Sequence, residues 1–199
     1  MSRAFIIGNG PSRKEFDLNK LKDKGTVFGC NALYRDFKPD YLVAIDKVII
    51  EEIHKSDYPQ HRFIVPPEHE QYEPAEFNPA QPRSNAGMNA MTEAIKRGNR
   101  ELFCLGFDFL LEDKEYSLGN IYDGTNGYGK EVRATENDNK GRTRYLQWYV
   151  RKHPNNGFIF VFPRMETEIR EIVAPNIGIM YYDDFERGLE NVREVEEFD

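Results

Sequence analysis

Short apolar runs that alternate with longer amphipathic stretches constrain the fold of this chain more than any other feature. Six runs have the length of β-strands, at residues 4–7, 26–30, 41–45, 62–65, 101–105 and 158–162. Between several of them, apolar residues recur at helical spacing, at residues 48–55, 87–97 and 142–152. Strands that alternate with helices favour a mainly parallel sheet with helices on both faces, the doubly wound α/β arrangement.

Size and charge narrow the class of protein. A chain of 199 residues fits one domain, which we place at residues 1–199. The net charge of −7 disfavours a large basic surface along nucleic acid, so we expect no nucleic-acid partner. No apolar run approaches the roughly 18 residues of a membrane span, and the first residues lack the apolar stretch of a signal peptide. We therefore expect a cytoplasmic protein without a transmembrane segment.

The cysteines and histidines give no metal motif. Cys30 and Cys104 each fall within a predicted buried strand, which favours two core thiols over a disulfide, and their spacing fits no zinc site. The four histidines form no cluster along the sequence. We predict no metal site from these residue types.

Three segments depart from the strand–helix alternation. Residues 66–84 contain five prolines, which indicates an irregular surface excursion. Residues 110–139 are rich in Gly, Asn, Asp and Tyr and begin where a strand ends. Long loops at the carboxyl ends of strands are usually functional, so we predict an active-site lid there. From about residue 183 the chain is acidic, which we interpret as a solvated tail.

The first predicted strand runs directly into Gly8, Asn9, Gly10, Pro11 and Ser12. Small residues let the backbone turn sharply and bring N–H groups against an anion, and the Ser12 hydroxyl can also bond phosphate. The run is neither a dinucleotide fingerprint nor a Walker loop. A simple tight turn is the alternative interpretation.

Polar side chains also follow three other predicted strands. Asn31 follows the second strand, Asp46 the third, and the fifth strand leads into Gly106 and Asp108. Carboxyl ends of neighbouring parallel strands meet at one edge of a sheet, where a nucleoside would lie. Asp46 is suited to accept hydrogen bonds from ribose or a base, or to hold a divalent ion. The alternative is a helix N-cap for the segment that begins at Lys47.

Four blocks together suggest a family. IIGNGPSRKEFDL and FGCNALY resemble the opening of the family 42 bacterial sialyltransferases, in which such a loop and a Cys-Asn pair line the CMP-sialic acid site. NAGMNAMTEAIKRGNRELFCLGFDF resembles the central helix and strand of that family, and IREIVAPNI resembles its late Pro-Asn helix end. PDYLVAID is closer to the related DUF115 proteins, which include motility accessory factors and 6-hydroxymethylpterin diphosphokinases.

The resemblance implies a Rossmann-like fold with a nucleotide at the strand ends. It assigns nucleotide binding to a set that includes Asn9, Gly10, Ser12, Asn31 and Asp46. Asp46 stands where the sialyltransferases have Asn. The Thr-Ser-Gly turn that contacts the nucleotide in that family corresponds here to Asn85, Ala86 and Gly87, so its serine becomes Ala86.

The lid departs further from the family. Of two lid tyrosines that bond the departing phosphate, one position is Leu110 here and the other is Tyr116. The histidine that serves as general base has no counterpart between Asn137 and Lys140. Glycosyl transfer would then require Asp138, or another lid acid such as Asp123, as the base. Tyr116 and Arg133 would stabilise the leaving phosphate.

Three functions follow as hypotheses. The first is a sialyltransferase-like glycosyltransferase with a nucleotide-sugar donor, a CMP-sugar by the resemblance, and a saccharide acceptor; it requires no metal cofactor. The second is a Mg²⁺-dependent pterin-type diphosphokinase in which Asp46 and Asp108 hold the ion. The third is a nucleotide-binding protein without catalysis. The sequence leaves open whether the chain forms a homo-oligomer.

Overall fold

A seven-stranded parallel sheet is the centre of the fold. The computed structural model describes residues 2–68 and 85–196. Its strands are β1 (Arg3–Ile7), β2 (Thr26–Cys30), β3 (Tyr41–Val43), β4 (Phe63–Ile64), β5 (Glu101–Leu105), β6 (Gly157–Phe162) and β7 (Ile177–Tyr181). They lie in the order β4-β3-β2-β1-β5-β6-β7, and every neighbouring pair is parallel. The predicted α/β architecture is confirmed.

Helices cover both faces of this sheet. They are α1 (Lys47–His54), α2 (Ala86–Lys96), α3 (Lys114–Ser117), α4 (Glu136–Lys152) and α5 (Tyr182–Glu196). Alternate residues of β1 join different cores: Ala4 and Ile6 pack with α2 and α4, whereas Phe5 and Ile7 pack with α5. Both faces of the central strands are therefore buried, which explains why these strands are continuous apolar runs.

The strand order reverses between β1 and β5. Strands β2 to β4 extend the sheet to one side of β1, and β6 and β7 extend it to the other side of β5. Crossover connections leave in opposite directions at this point, and open α/β sheets bind their ligands beyond the carboxyl ends of such strands. Gly8 and Gly106, which directly follow these two strands, lie at this topological switch point.

Two predictions about the C-terminal part are wrong. The segment IREIVAPNI does not end a helix, because residues 170–174 are irregular and lead into β7, which was not predicted. The acidic segment from about 183 is not a tail but helix α5, which buries Phe185 and Leu189 against β1 and β5. The many acidic residues led to the prediction of a tail, although the two buried apolar residues are four positions apart, as on one face of a helix.

The segment predicted as a lid has local structure. It contains α3 and one 3₁₀ turn at Lys130–Val132, and its last residues already belong to α4, which begins at Glu136 instead of Arg142. Cys30 and Cys104 are free and buried, as predicted. Residues 69–84, most of the predicted proline-rich excursion, lie outside the described residues. None of the described helices is long and apolar enough to cross a membrane.

Candidate functional site

The loop after β1 fits tightly against the turn after β5. The Gly8 N–H donates to the Leu105 carbonyl oxygen at 2.7 Å, and the Gly10 N–H donates to the Gly106 carbonyl oxygen at 3.0 Å. A Cβ atom on Gly8 would lie 2.8 Å from the Gly106 oxygen, and one on Gly10 would overlap the Asp108 side chain. The glycines are thus required by close packing of protein against protein.

Ser12 and Asp108 form a buried pair at the switch point. The Ser12 N–H donates to Asp108 Oδ2 at 2.8 Å, and the Ser12 hydroxyl donates to Oδ1. Burial raises the pKa of Asp108 to about 6, although both Ser12 bonds and the charge of Arg13 oppose this rise. The amides of Gly8, Gly10 and Ser12 therefore bond protein acceptors. The expectation that these N–H groups bind a phosphate does not agree with the structure.

Arg13 is a buried residue of the site that the sequence did not indicate. Its Nε donates to the Gly8 carbonyl oxygen at 2.7 Å, and one Nη donates to Asn9 Oδ1 at 3.0 Å. Asn9 Nδ2 in turn donates to the Cys30 carbonyl oxygen at 3.0 Å. The Asn9 amide thus connects the ends of β1 and β2. A basic residue after a loop is typical of exposed surface, so no sequence signal marked Arg13.

Asn31 has an unusual conformation at the end of β2. Its φ of 52° lies in the left-handed region, which Asn tolerates better than most residues. Its Oδ1 is buried, and no described group donates a hydrogen bond to it. A buried amide oxygen without a donor is costly, so this position suits a bound molecule that supplies one.

Asp46 follows β3 and occupies the N-cap position of α1. Its side chain accepts no capping hydrogen bond from the helix, so the alternative interpretation of Asp46 as a side-chain cap does not hold. Partial burial raises the pKa of Asp46, and the charge of Arg142 on α4 opposes this rise. The carboxylate lies within electrostatic reach of Arg142 and of Cys30, the residue before Asn31.

The start of α2 also lies at this edge. Asn85 is its N-cap and accepts a hydrogen bond from the Met88 N–H at 3.0 Å. Gly87 packs closely on the ring of Phe107, the residue between Gly106 and Asp108. Ala86 is buried. The structure therefore brings the Asn85–Gly87 turn beside the β5 turn, as the predicted site requires.

Residues 118–133, here called the strap, cross the carboxyl ends of β1 and β2. The Ile121 N–H donates to the Asn9 carbonyl oxygen at 2.9 Å. The Tyr128 hydroxyl accepts from the Ala32 N–H at 3.4 Å, and the Tyr122 hydroxyl lies near Arg13. The strap therefore covers the edge at which the predicted binding residues meet.

The three predicted catalytic residues have contacts of their own. Tyr116 on α3 is half-buried against the core. Arg133 is exposed, with its Nε 3.6 Å from Asp123 Oδ1. Asp138 forms a capping box with Thr135: its carboxylate accepts from the Thr135 N–H at 2.9 Å, and its own N–H donates to Thr135 Oγ1 at 3.1 Å.

The arrangement of the described acidic residues does not support a magnesium site. Both Asp108 oxygens accept hydrogen bonds from Ser12. Within residues 2–68 and 85–196, no group of three His, Cys, Asp or Glu side chains is placed to hold a metal ion.

The site thus combines Gly8–Ser12, Asn31, Asp46, the Asn85–Gly87 turn, Gly106 and Asp108 at one edge of the sheet. Comparison of this chain with protein-family models, with curated proteins and with solved structures finds no match.

Proposed function

We propose that this protein is a glycosyltransferase of the sialyltransferase-like type, which binds a nucleotide-sugar at the carboxyl edge of β1–β3. The observation that supports this most directly is the buried Oδ1 of Asn31, which lacks a donor. Asn31 follows β2, and Asp46 follows the neighbouring strand β3. Both side chains offer acceptors. The exocyclic amino group of a base such as cytosine and the ribose hydroxyls are donors, so a nucleoside complements this pair.

Because the amides of Gly8, Gly10 and Ser12 are engaged within the protein, we assign the donor phosphate to the start of α2. An eleven-residue helix directs positive dipole potential from its first turn. Arg142 lies within electrostatic reach of Asp46 and adds a cation to this edge. The loop then has a positioning role, since it holds Asn9 and the end of β2 in place.

The proposed reaction is displacement at the anomeric carbon of the bound sugar. An acceptor hydroxyl oxygen forms the new bond to this carbon, its proton passes to the Asp138 carboxylate, and the bond from the carbon to the phosphate oxygen breaks. Tyr116 and Arg133 stabilise the departing phosphate. The other candidate function is a nucleotide-binding protein without catalysis. The capping box of Asp138 favours it, because the capping box gives Asp138 a structural role.

Thermal denaturation with nucleotides tests the binding proposal. We expect millimolar CMP or a CMP-sugar to raise the Tm more than UDP, GDP or ATP, because a ligand of the native state stabilises it. Asp46→Ala, which removes the acceptor oxygens, should reduce this shift. Asp57→Ala, the same change at an exposed acid, should not. A flat response to all four nucleotides and their sugar conjugates, with and without Mg²⁺, would contradict the proposal, and a response to ATP that requires Mg²⁺ would favour the diphosphokinase.

A further inference from the structure

Arg35, just after β2, connects the strap to the body of the protein. Its Nη1 donates to Thr125 Oγ1 at 2.8 Å, and its Nη2 donates to the Asn126 carbonyl oxygen at 3.0 Å. Its guanidinium carbon lies 5.6 Å from the ring centroid of Tyr122 and 5.9 Å from that of Tyr128. One side chain thus contacts four residues of the strap.

Glu52 on α1 holds this arginine in place. Its Oε2 accepts from Arg35 Nε at 2.9 Å and its Oε1 accepts from Arg35 Nη2 at 2.7 Å, which is a bidentate pair. Asn126 Nδ2 donates to Oε1 at 3.1 Å, and the Tyr34 hydroxyl donates to Oε2. Burial opposes ionisation of Glu52, but these hydrogen bonds lower its pKa to about 2. Arg35, Glu52 and Asn126 form a latch across the strap.

Tyr128 lies where the proposed nucleoside would bind. Its hydroxyl accepts from the Ala32 N–H, and burial raises its pKa, with the nearby Cys30 and Asp46 adding to the rise. Cys30 ends β2, Asp46 follows β3, and Asn31 with its orphaned oxygen lies between Cys30 and Ala32. The phenol is thus bonded to the residue that follows Asn31 and lies within electrostatic reach of Asp46.

The strap has hydrogen bonds of its own. Within it, the Gly124 N–H donates to the Tyr128 carbonyl oxygen and the Tyr128 N–H donates to the Thr125 carbonyl oxygen, each at 2.9 Å. Gly119 and Gly129 lie near its two ends. Its internal bonds do not depend on the sheet, so the strap can separate from the edge with its own turns intact.

We propose that the strap is an autoinhibitory gate: the Tyr128 ring occupies the nucleoside position, and the Arg35–Glu52–Asn126 latch keeps it there until the strap opens. The identity of the ligand rests on the proposed function, whereas the latch is independent of it. A site that is open only part of the time binds with an affinity reduced by the open fraction. A weaker latch should therefore increase nucleotide affinity.

Amide hydrogen exchange tests the latch without any ligand. Glu52→Gln removes the charge and keeps the size, so we expect exchange of the amides whose hydrogen bonds join the strap to the edge, those of Ile121 and Ala32, to accelerate on the order of tenfold. Exchange in β1 and β5 should not change. The matched control is Glu51→Gln, the same change at the adjacent exposed glutamate. If Glu52→Gln does not fold, Asn126→Ala weakens the latch from the strap side, because it removes the Nδ2 hydrogen bond to Glu52.

Titration with CMP, UDP, GDP and ATP tests the gate. Glu52→Gln and Tyr128→Ala should each lower the Kd of the nucleotide that binds, by about the factor by which exchange increases. Equal or weaker binding by both variants would show that the strap closes over the ligand as a lid, and would overturn the gate. If the amides that join the strap to the edge exchange as slowly as core amides, at a rate that Glu52→Gln does not change, the latch is overturned. Faster strap exchange in variants that bind no nucleotide would confirm the latch and refute the proposed nucleotide function.

Discussion

At the scale of single residues, the switch point depends on backbone contact between Gly8 and Gly106. Gly106 has a φ of 74°, and a Cβ atom there would lie 2.8 Å from the carbonyl carbon of Gly8. A side chain would therefore meet a conformational penalty and a backbone clash together. The loop after β1 keeps its place because neither glycine has a Cβ atom.

Gly106→Ala should separate these two contributions when it is compared with Gly98→Ala. Gly98 has a φ of 84° with no atom near the added Cβ, so Gly98→Ala should cost only the left-handed penalty of about 1–2 kcal/mol. Gly106→Ala should cost at least about 3 kcal/mol because the backbone must also move. Urea unfolding measures both. Equal losses would show that the turn after β5 can relax.

Asp108 should make stability depend on pH. Its folded pKa is about 6 against an ordinary value of 3.8, so the folded protein binds more protons than the unfolded chain between these values. The free energy of unfolding should therefore fall, relative to Asp108→Asn, as the pH rises from about 4 to about 6, and the difference should stay constant above that. Denaturant unfolding at pH 4, 5, 6 and 7 measures it, with Asp57→Asn as the charge-matched control. Parallel profiles would contradict the raised pKa.

At the scale of elements, the first turn of α4 connects structure to the proposed chemistry. Thr135 and Asp138 satisfy each other's N–H groups, so α4 begins six residues before the apolar pattern that predicted it. The same turn contains the proposed general base. If the Asp138 carboxylate is only structural, substitutions at either end of the capping box should affect stability alone. If it is also catalytic, a substitution of Asp138 should in addition reduce turnover.

Asp138→Asn and Thr135→Ala distinguish these roles. Thr135→Ala removes half of the capping box, and we expect it to lower stability by about 1 kcal/mol. Asp138→Asn keeps an acceptor oxygen for the Thr135 N–H and should cost less. If Asp138 accepts the proton of the acceptor, Asp138→Asn should also reduce turnover on the order of 100-fold, whereas Thr135→Ala should leave it nearly unchanged. Sugar transfer from a CMP-sugar, followed by release of CMP, measures turnover. Equal activity of both variants would leave Asp138 a helix cap and nothing more.

At the scale of the whole molecule, the sheet needs cover on both faces. Helix α5 provides it on one side: Phe185 packs on the rings of Phe5, Phe16 and Phe103 at centroid distances of 5.5–5.9 Å. Tyr182, the first residue of the same helix, also stacks on Phe16 at a centroid distance of 5.1 Å. The acidic end of the chain is therefore part of the core, although most of its residues are charged.

Phe185→Ala should destabilise the whole protein by about 3–5 kcal/mol, because it leaves a cavity between α5 and the sheet. Val173→Ala, at an apolar residue that is 57% exposed, should change stability by less than about 0.5 kcal/mol. Urea unfolding followed by tryptophan fluorescence of Trp148, which lies on the opposite face, measures cooperativity as well. A loss confined to local fraying of α5 would contradict its role in the core.

The sequence by itself determined the parallel α/β class and most strand positions, because strands buried on both faces must be continuous apolar runs and their helices must be amphipathic. It also identified the strand ends at which Asn9, Asn31, Asp46 and Asp108 gather. These residues follow apolar runs, and parallel topology places the ends of such runs at one edge.

Only the tertiary structure decided how those residues are used. Ser12 bonds Asp108, 96 residues along the chain, and Arg13 is buried beneath Gly8. Tyr128 contacts the residue after Asn31 at the end of β2, also from 96 residues away. These contacts depend on strand order and on the path of a long connection. The spacing of residues along the sequence reveals neither the strand order nor the path of the connection. Only the folded chain therefore shows the engaged amides, the Asn31 oxygen without a donor and the position of the strap.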